Sequence, residues 1–168
     1  MKLIVLSDSH GDTDTIDAIR RRETGADAIF HCGDSELSVS DEHLAGIRIV
    51  QGNCDWGAAF DERVLTDVNE TRILMVHGHQ HGVKQSLMQL KYAAEETGAN
   101  IVLFGHSHLY GAELQDSVMY VNPGSTKLPR GGHRAATYAV IETGESITVT
   151  FLDPLTGSHI EDANFTIR

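Results

Sequence analysis

Short apolar runs alternate with polar clusters through the first two thirds of the chain. Lys2–Leu6 (KLIVL) is rich in Leu, Ile and Val and stops at Ser7-Asp8-Ser9-His10, the pattern of a strand buried on both faces. Ala28–Phe30, Ile47–Val50, Ile73–Val76 and Ile101–Phe104 repeat it. Between the first two runs, Ile16 and Ile19 share one helical face. Asp12 or Thr13 is placed to cap that helix and Gly25 to close it. Val83, Leu87, Leu90 and Ala94 mark a second helical stripe that closes at Gly98. The later segments VMYV, ATYAVIE, ITVTFL and NFTI are β-rich. Turn residues separate them, as around Gly144, and predict antiparallel pairing. An α/β beginning and a β-meander ending are both satisfied by two sheets packed face to face with helices outside. No repeat or linker interrupts the pattern, which predicts one domain over residues 1–168.

Five strands each end in residues that bind metals. The clusters are Asp8-Ser9-His10, Gly33-Asp34, Gly52-Asn53-Cys54-Asp55, His77-Gly78-His79 and Gly105-His106-Ser107-His108. Sites in α/β sheets assemble beyond the carboxyl ends of strands, where loops distant in sequence converge. Along extended backbone, residues i and i+2 point to one side, so Asp8 with His10, and His106 with His108, are placed to aim together. Carboxylates and imidazoles without thiolate suit borderline divalent ions such as Mn, Fe or Zn. Each cluster alone is ordinary; all five after strands predict a shared metal site.

Charge narrows the partners. The formal net charge is -11, which repels polyanions and argues against nucleic acid or an anionic membrane as partner. Carboxylates gathered around cations would account for part of it. No apolar run has membrane-spanning length, and MKLIVLSDSHGD turns polar too soon for a secretory signal. A cytoplasmic location is the expectation. Cys32 and Cys54 form no CxxC pair, so no disulfide is expected.

The ordered set DSH, GD, GNCD, HGH and GHSH resembles the calcineurin-like metallophosphoesterases. Within them it is most similar to the small YfcE-type branch of bacteria and archaea, which is related to a eukaryotic trafficking subunit. The resemblance runs from Asp8 through Asn122-Pro123-Gly124-Ser125. It implies a four-layer αββα sandwich of two mixed β-sheets flanked by helices. It also implies two divalent ions, Mn foremost, with Fe, Zn, Ni or Mg as alternatives. Asp8, His10 and His108 would hold the first ion, Asn53, His77 and His106 the second, and Asp34 would bridge. The implied reaction is hydrolysis of a small phosphodiester by a metal-bridging hydroxide, with two cations roughly 3.5–4 Å apart clamping the phosphoryl group.

Asp34, Asn53 and His79 are the expected catalytic residues. Many larger relatives carry His after the Asn, where this chain has Cys54. A thiol is the weaker acid for a leaving group, so substrates with good leaving groups are expected. His79 is the next candidate acid or an orienting group, and Asp55 an orienting group. His31 reads as a packed strand-end residue, and His43, His81, His133 and His159 as surface residues. Arg130, after the Asn122-Pro123-Gly124 turn, reads as a surface arginine. The rival function is a metal-stabilised interaction scaffold, against which stands the complete ligand set. No HExxH helix suggests another zinc hydrolase. A homodimer is compatible with the sequence, though no apolar stripe demands one.

Overall fold

In the computed structural model, which describes residues 1–132 and 135–166, the apolar runs become the central strands of two sheets. The first sheet contains β1 (Lys2–Leu6), β2 (Ala28–His31), β3 (Ile47–Ile49), β9 (Tyr138–Thr143), β10 (Ser146–Leu152) and β11 (His159–Thr166), in the order β11-β10-β9-β1-β2-β3. β1, β2 and β3 are parallel; β9 to β11 are the expected antiparallel meander. The second sheet contains β4 (Arg63–Val68), β5 (Thr71–Val76), β6 (Ile101–Leu103), β7 (Tyr110–Gln115) and β8 (Val118–Pro123), in the order β4-β5-β6-β8-β7. His133, read as a surface residue, lies outside the described residues, as does the last residue of NFTI.

Period-two alternation sorts the side chains into layers. Leu3, Val5, Ile73, Met75, Ile101 and Leu103 point between the sheets and form the central core with Val121, Ile141 and Val149. Ile4 and Leu6 face the other way, onto Ile16 and Ile19 of α1 (Thr13–Arg22). Leu74, Val76 and Val102 face Leu90 and Ala94 of α2 (Met88–Thr97). Two mixed sheets with a helix on each outer side form the αββα sandwich. Among the described residues, no helix is long and apolar enough to cross a membrane.

Three local expectations are corrected, and two strands, β4 and β7, are added. VMYV is not purely antiparallel: β8 pairs parallel with β6 and antiparallel with β7. The chain makes the edge strand β7 first and then returns inside it, so β8 is an interior strand and is buried along nearly its whole length. β4 and β7 lack an apolar run because each lies at a sheet edge with polar side chains on one face. The second helix begins at Met88, since turns occupy the residues around Val83 although Val83 and Leu87 still pack on the core. The first helix ends at Arg22, and its C-cap is Glu23 rather than a glycine.

Candidate metal centre

The parallel strands β1, β2, β5 and β6 deliver their loops to one end of the sandwich. The loops are not extended there. Asp8, His10, Asp34, Glu36, His106 and His108 all have positive φ, between 45° and 66°. That region is disfavoured for residues bearing a Cβ. The expectation that i and i+2 converge through strand alternation is therefore wrong in cause: Asp8 and His10 meet through kinks, while His106 lies by His77 and His108 by Asp8. Each loop kinks through the left-handed region, a strain typical of functional sites. Glycine makes the close approach possible: a Cβ on Gly52 would collide with the Asp34 carboxylate, and one on Gly105 with Ser7 Oγ.

Three imidazoles share one arrangement. His108 Nδ1 donates to the Leu128 carbonyl at 2.6 Å, His77 Nδ1 to the Cys32 carbonyl at 2.7 Å, and His10 Nδ1 to Glu36 Oε1 at 2.6 Å. A carbonyl or carboxylate oxygen only accepts, so each ring carries a proton on Nδ1 and turns Nε2 inward. His108 Nε2 lies 3.1 Å from Asp8 Oδ1. His77 Nε2 lies 3.1 Å from Asn53 Oδ1 and 3.4 Å from Asp34 Oδ2. His10 Nε2 and Asp8 Oδ1 are buried without a hydrogen-bond partner. Imidazole nitrogens turned toward carboxylate and amide oxygens in a buried site call for a positive charge between them, a metal ion or a proton on Nε2, and outward donation from Nδ1 is the usual support of a metal-bound histidine. The donor set fits a divalent ion.

Two groups of donor atoms meet within 4.8 Å: Asp8, His10 and His108, and Asp8, Asp34 and His77. The first is the trio expected for one ion. In the second, His77 and Asp34 come together as expected, and Asp8 stands with them. Asn53 is exposed but reaches His77. The His106 ring lies beside His77, with centroids 5.1 Å apart, and its backbone N donates to Asp8 Oδ2. His79 stacks near His77 and His106, and its Nδ1 is buried without a partner. A third group joins His10, Glu36 and Cys54; Glu36 had no assigned role.

The electrostatics follow from burial and proximity. Burial opposes ionisation of Asp8 and Asp34, but His108, His77 and other donors outweigh it and hold both carboxyls below their ordinary range. Burial likewise opposes protonation of His77 and His108, yet Asp34 and Asp8 raise both. Burial and then His77 depress His106 to about 4. Burial and the Asp34 carboxylate raise the Cys54 thiol to about 11. His31 differs from its neighbours: Nδ1 accepts from Gly33 N and Nε2 lies 2.9 Å from Ser9 Oγ. With both nitrogens satisfied it is the packed residue expected.

Several supporting groups carry little sequence signal. Asn122 Nδ2 donates to the Gly105 carbonyl and to Ser107 Oγ. Ser125 Oγ donates to the Asp8 carbonyl, and Lys127 Nζ to that of His10. The Asn122-Pro123-Gly124-Ser125 segment, read only as a turn, therefore clamps two ligand loops. His81, expected at the surface, is half-buried with its Nδ1 unpartnered. His43 pairs with Asp17 Oδ2 at 2.9 Å, and His159 and Arg130 are exposed.

Known proteins resemble this chain in sequence and fold. The family model described as "Calcineurin-like phosphoesterase superfamily domain" matches residues 1–146. "Probable metallophosphoesterase YsnB" of Bacillus subtilis is 40% identical over 164 residues, covering 96% of this chain and 96% of the relative. A solved structure from Streptococcus pneumoniae TIGR4, described as a conserved uncharacterized protein and predicted phosphoesterase, is 36% identical with a TM-score of 0.94, covering 99% of this chain and 97% of that one. The phosphoesterase Yfce of E. coli shares the fold, with a TM-score of 0.73 at 22% identity over 97% of this chain and 98% of its own. With this fold, these loops and these relatives, the chain belongs to the calcineurin-like phosphoesterase superfamily.

Proposed function

We propose that the protein is a phosphodiesterase with a dinuclear centre. In this reading Asp8, His10 and His108 hold one ion, Asn53, His77 and His106 the other, and Asp34 bridges them. The observation that carries it is the trio of imidazoles that donate outward from Nδ1 and turn Nε2 into one buried site shared with Asp8 and Asp34. When bound, a pair of divalent cations supplies Lewis-acid charge at phosphorus and activates water near neutral pH. Mn is the leading candidate, because oxygen and imidazole donors accept it readily.

The chain's own groups divide the remaining work. Asn53 contributes a neutral oxygen and so adds no charge against an anionic ester. Asp34 is held ionised, its Oδ1 accepting from Cys54 N at 2.7 Å. Glu36, Cys32 and Leu128 orient the imidazoles through Nδ1. Cys54 keeps its proton at neutral pH and gives it up reluctantly. His79, which burial and His77 keep neutral, stands nearer the His77–His106 side as the alternative proton carrier. Weak acid assistance favours esters whose leaving group departs unaided.

The test is hydrolysis of bis(p-nitrophenyl) phosphate with Mn. Turnover abolished by a chelator, and lowered at least about a hundredfold in Asp34→Asn, supports the reading. Metal binding without turnover of any ester would favour the scaffold instead. Turnover that survives exhaustive chelation would remove the metal from the reaction.

A further inference from the structure

We propose that the indole of Trp56 and the pocket beside it seat an uncharged, ring-bearing arm of the ester substrate. The inference rests on the phosphodiesterase reading and names the substrate class that reading leaves open.

A cavity of about 350 Å³ opens next to the metal centre. Its walls include Glu36 and Cys54, whose donor atoms gather with that of His10 within 4.8 Å. The cavity therefore adjoins His10, one of the proposed ligands. Its size falls at the small end of ligand pockets, roughly 300–1,000 Å³. Trp56 and Val39 line it, and both are left in water, at 89% and 55% exposure. Trp56 is the only tryptophan in the chain.

An exposed apolar residue alone means little. This one is fixed. Asp55, 2% exposed, accepts from Asp34 N at 2.8 Å, Gly52 N at 2.7 Å, Glu36 N at 2.7 Å and Ser35 Oγ at 3.1 Å. Trp56 N donates to the Cys54 carbonyl at 2.9 Å, and Ala58 N to that of Asp55 at 3.3 Å. The carboxylate that ties the two ligand loops together also anchors the tryptophan. The backbone of Trp56 is thus as firmly placed as the loops that carry the donors, and preorganisation of that kind lowers the ordering cost of binding.

Charge selects the arm. Glu36 and Asp55 line the cavity, and among the described residues no Lys, Arg or His does. A second phosphate or a carboxylate would be repelled there. The cavity bordered by Ser107 and Leu109 differs: Lys84 and Arg130 line it against the single carboxylate of Glu113, with apolar Val83 and Leu87. An anionic arm belongs on that side and a neutral ring on the Trp56 side. Aromatic and heterocyclic rings stack on indole with little regard to their substituents, so aryl and nucleobase-bearing esters are the class expected.

The single tryptophan makes the test direct. Its emission is followed while Mn-loaded protein is titrated with adenosine 5′-monophosphate, ribose 5-phosphate or inorganic phosphate. The adenosine phosphate is expected to quench at concentrations about tenfold below the other two. In Trp56→Ala the preference in kcat/KM for an aryl over an alkyl diester is expected to fall about tenfold, chiefly through KM. Trp56→Phe should retain most of that preference, because it keeps a ring. Equal quenching by the three phosphates, or an unchanged preference in Trp56→Ala, overturns the ring seat and leaves the hydrolase standing. Ring-dependent quenching by a protein inert toward every ester overturns the hydrolase and leaves the ring seat standing.

Discussion

At the scale of single residues, the difference between a ligand and a structural histidine lies in where Nδ1 sends its proton. His10, His77 and His108 donate outward from Nδ1 and turn Nε2 to the site, whereas His31 has both nitrogens engaged by Gly33 and Ser9. No spacing rule encodes that difference, since the acceptors are Glu36 and two backbone carbonyls. Asp55 is similar. Its place after Cys54 suggested an orienting role, but three of its four donors come from the neighbouring loop, at Asp34, Ser35 and Glu36, and one from its own turn. Asp55→Ala strands three buried or half-buried backbone N–H groups. Unpaired groups of this kind cost about 1–3 kcal/mol each when fully desolvated. Allowing for water entry, we expect a loss on the order of 3 kcal/mol, read as a lower urea midpoint. Asn122→Ala removes the donor to the Gly105 carbonyl and Ser107 Oγ without touching a ligand. Mn affinity measured by calorimetry is expected to fall about 10–100-fold, the usual effect of losing an outer support.

At the scale of elements, what the sequence made legible depended on whether one face or both were buried. β1, β5 and β6 are buried on both faces, carry continuous apolar runs and were placed within a residue or so. β4 and β7 lie at edges and carry no apolar run that marks them. The kinks beyond the strands were not legible, because Asp and His at positive φ look like any other residues in sequence. The cap of α1 was legible: Asp12 accepts from Thr15 N at 3.1 Å and from Thr15 Oγ1 at 2.9 Å. Asp12→Ala should cost about 1 kcal/mol in a denaturant titration. The other end of α1 hid a pH-sensitive contact. Tyr138 OH donates to Glu23 Oε1 at 2.6 Å, and Lys2 Nζ lies 2.8 Å from Glu23 Oε2. Burial, then the bond to Glu23, raises the phenol from the ordinary 10 to about 12. A folded-state value above the unfolded one means stability present in full below pH 10 and lost as pH rises through the folded value. Tyr138→Phe should therefore be about 2 kcal/mol less stable than the native chain at pH 7. The deficit should shrink between about pH 10 and 12, measured by urea unfolding across that range.

At the scale of the whole molecule, fold and metal site constrain one another. The order of the strands brings the ends of β1, β2, β5 and β6 to one edge of the sandwich, so distant short motifs meet only once both sheets have packed. The five motifs were legible as a set for that reason. Which atoms would touch which ion was not, and Asp8 stands in both compact donor groups. The chain's net charge of -11 sharpens the consequence. Without cations, the facing lone pairs of Asp8, Asp34, Asn53 and His77 are held together by the rest of the fold against their mutual repulsion. A divalent ion that binds only the folded state stabilises it by mass action, about 2.7 kcal/mol at a hundred times its dissociation constant. For a chain of this size each kcal/mol moves the melting point about 2–4 °C. Saturating Mn should therefore raise Tm by roughly 5–10 °C, and a chelator should reverse the rise. His108→Ala removes one imidazole and leaves Asp8 Oδ1 without its nearest nitrogen, so most of the shift should vanish. Tyr138→Phe, which lies in the α1–sheet core away from the ligand loops, should keep the full shift on a lower baseline. A Tm indifferent to Mn in the native chain would mean that the facing lone pairs are resolved by protons instead of metal.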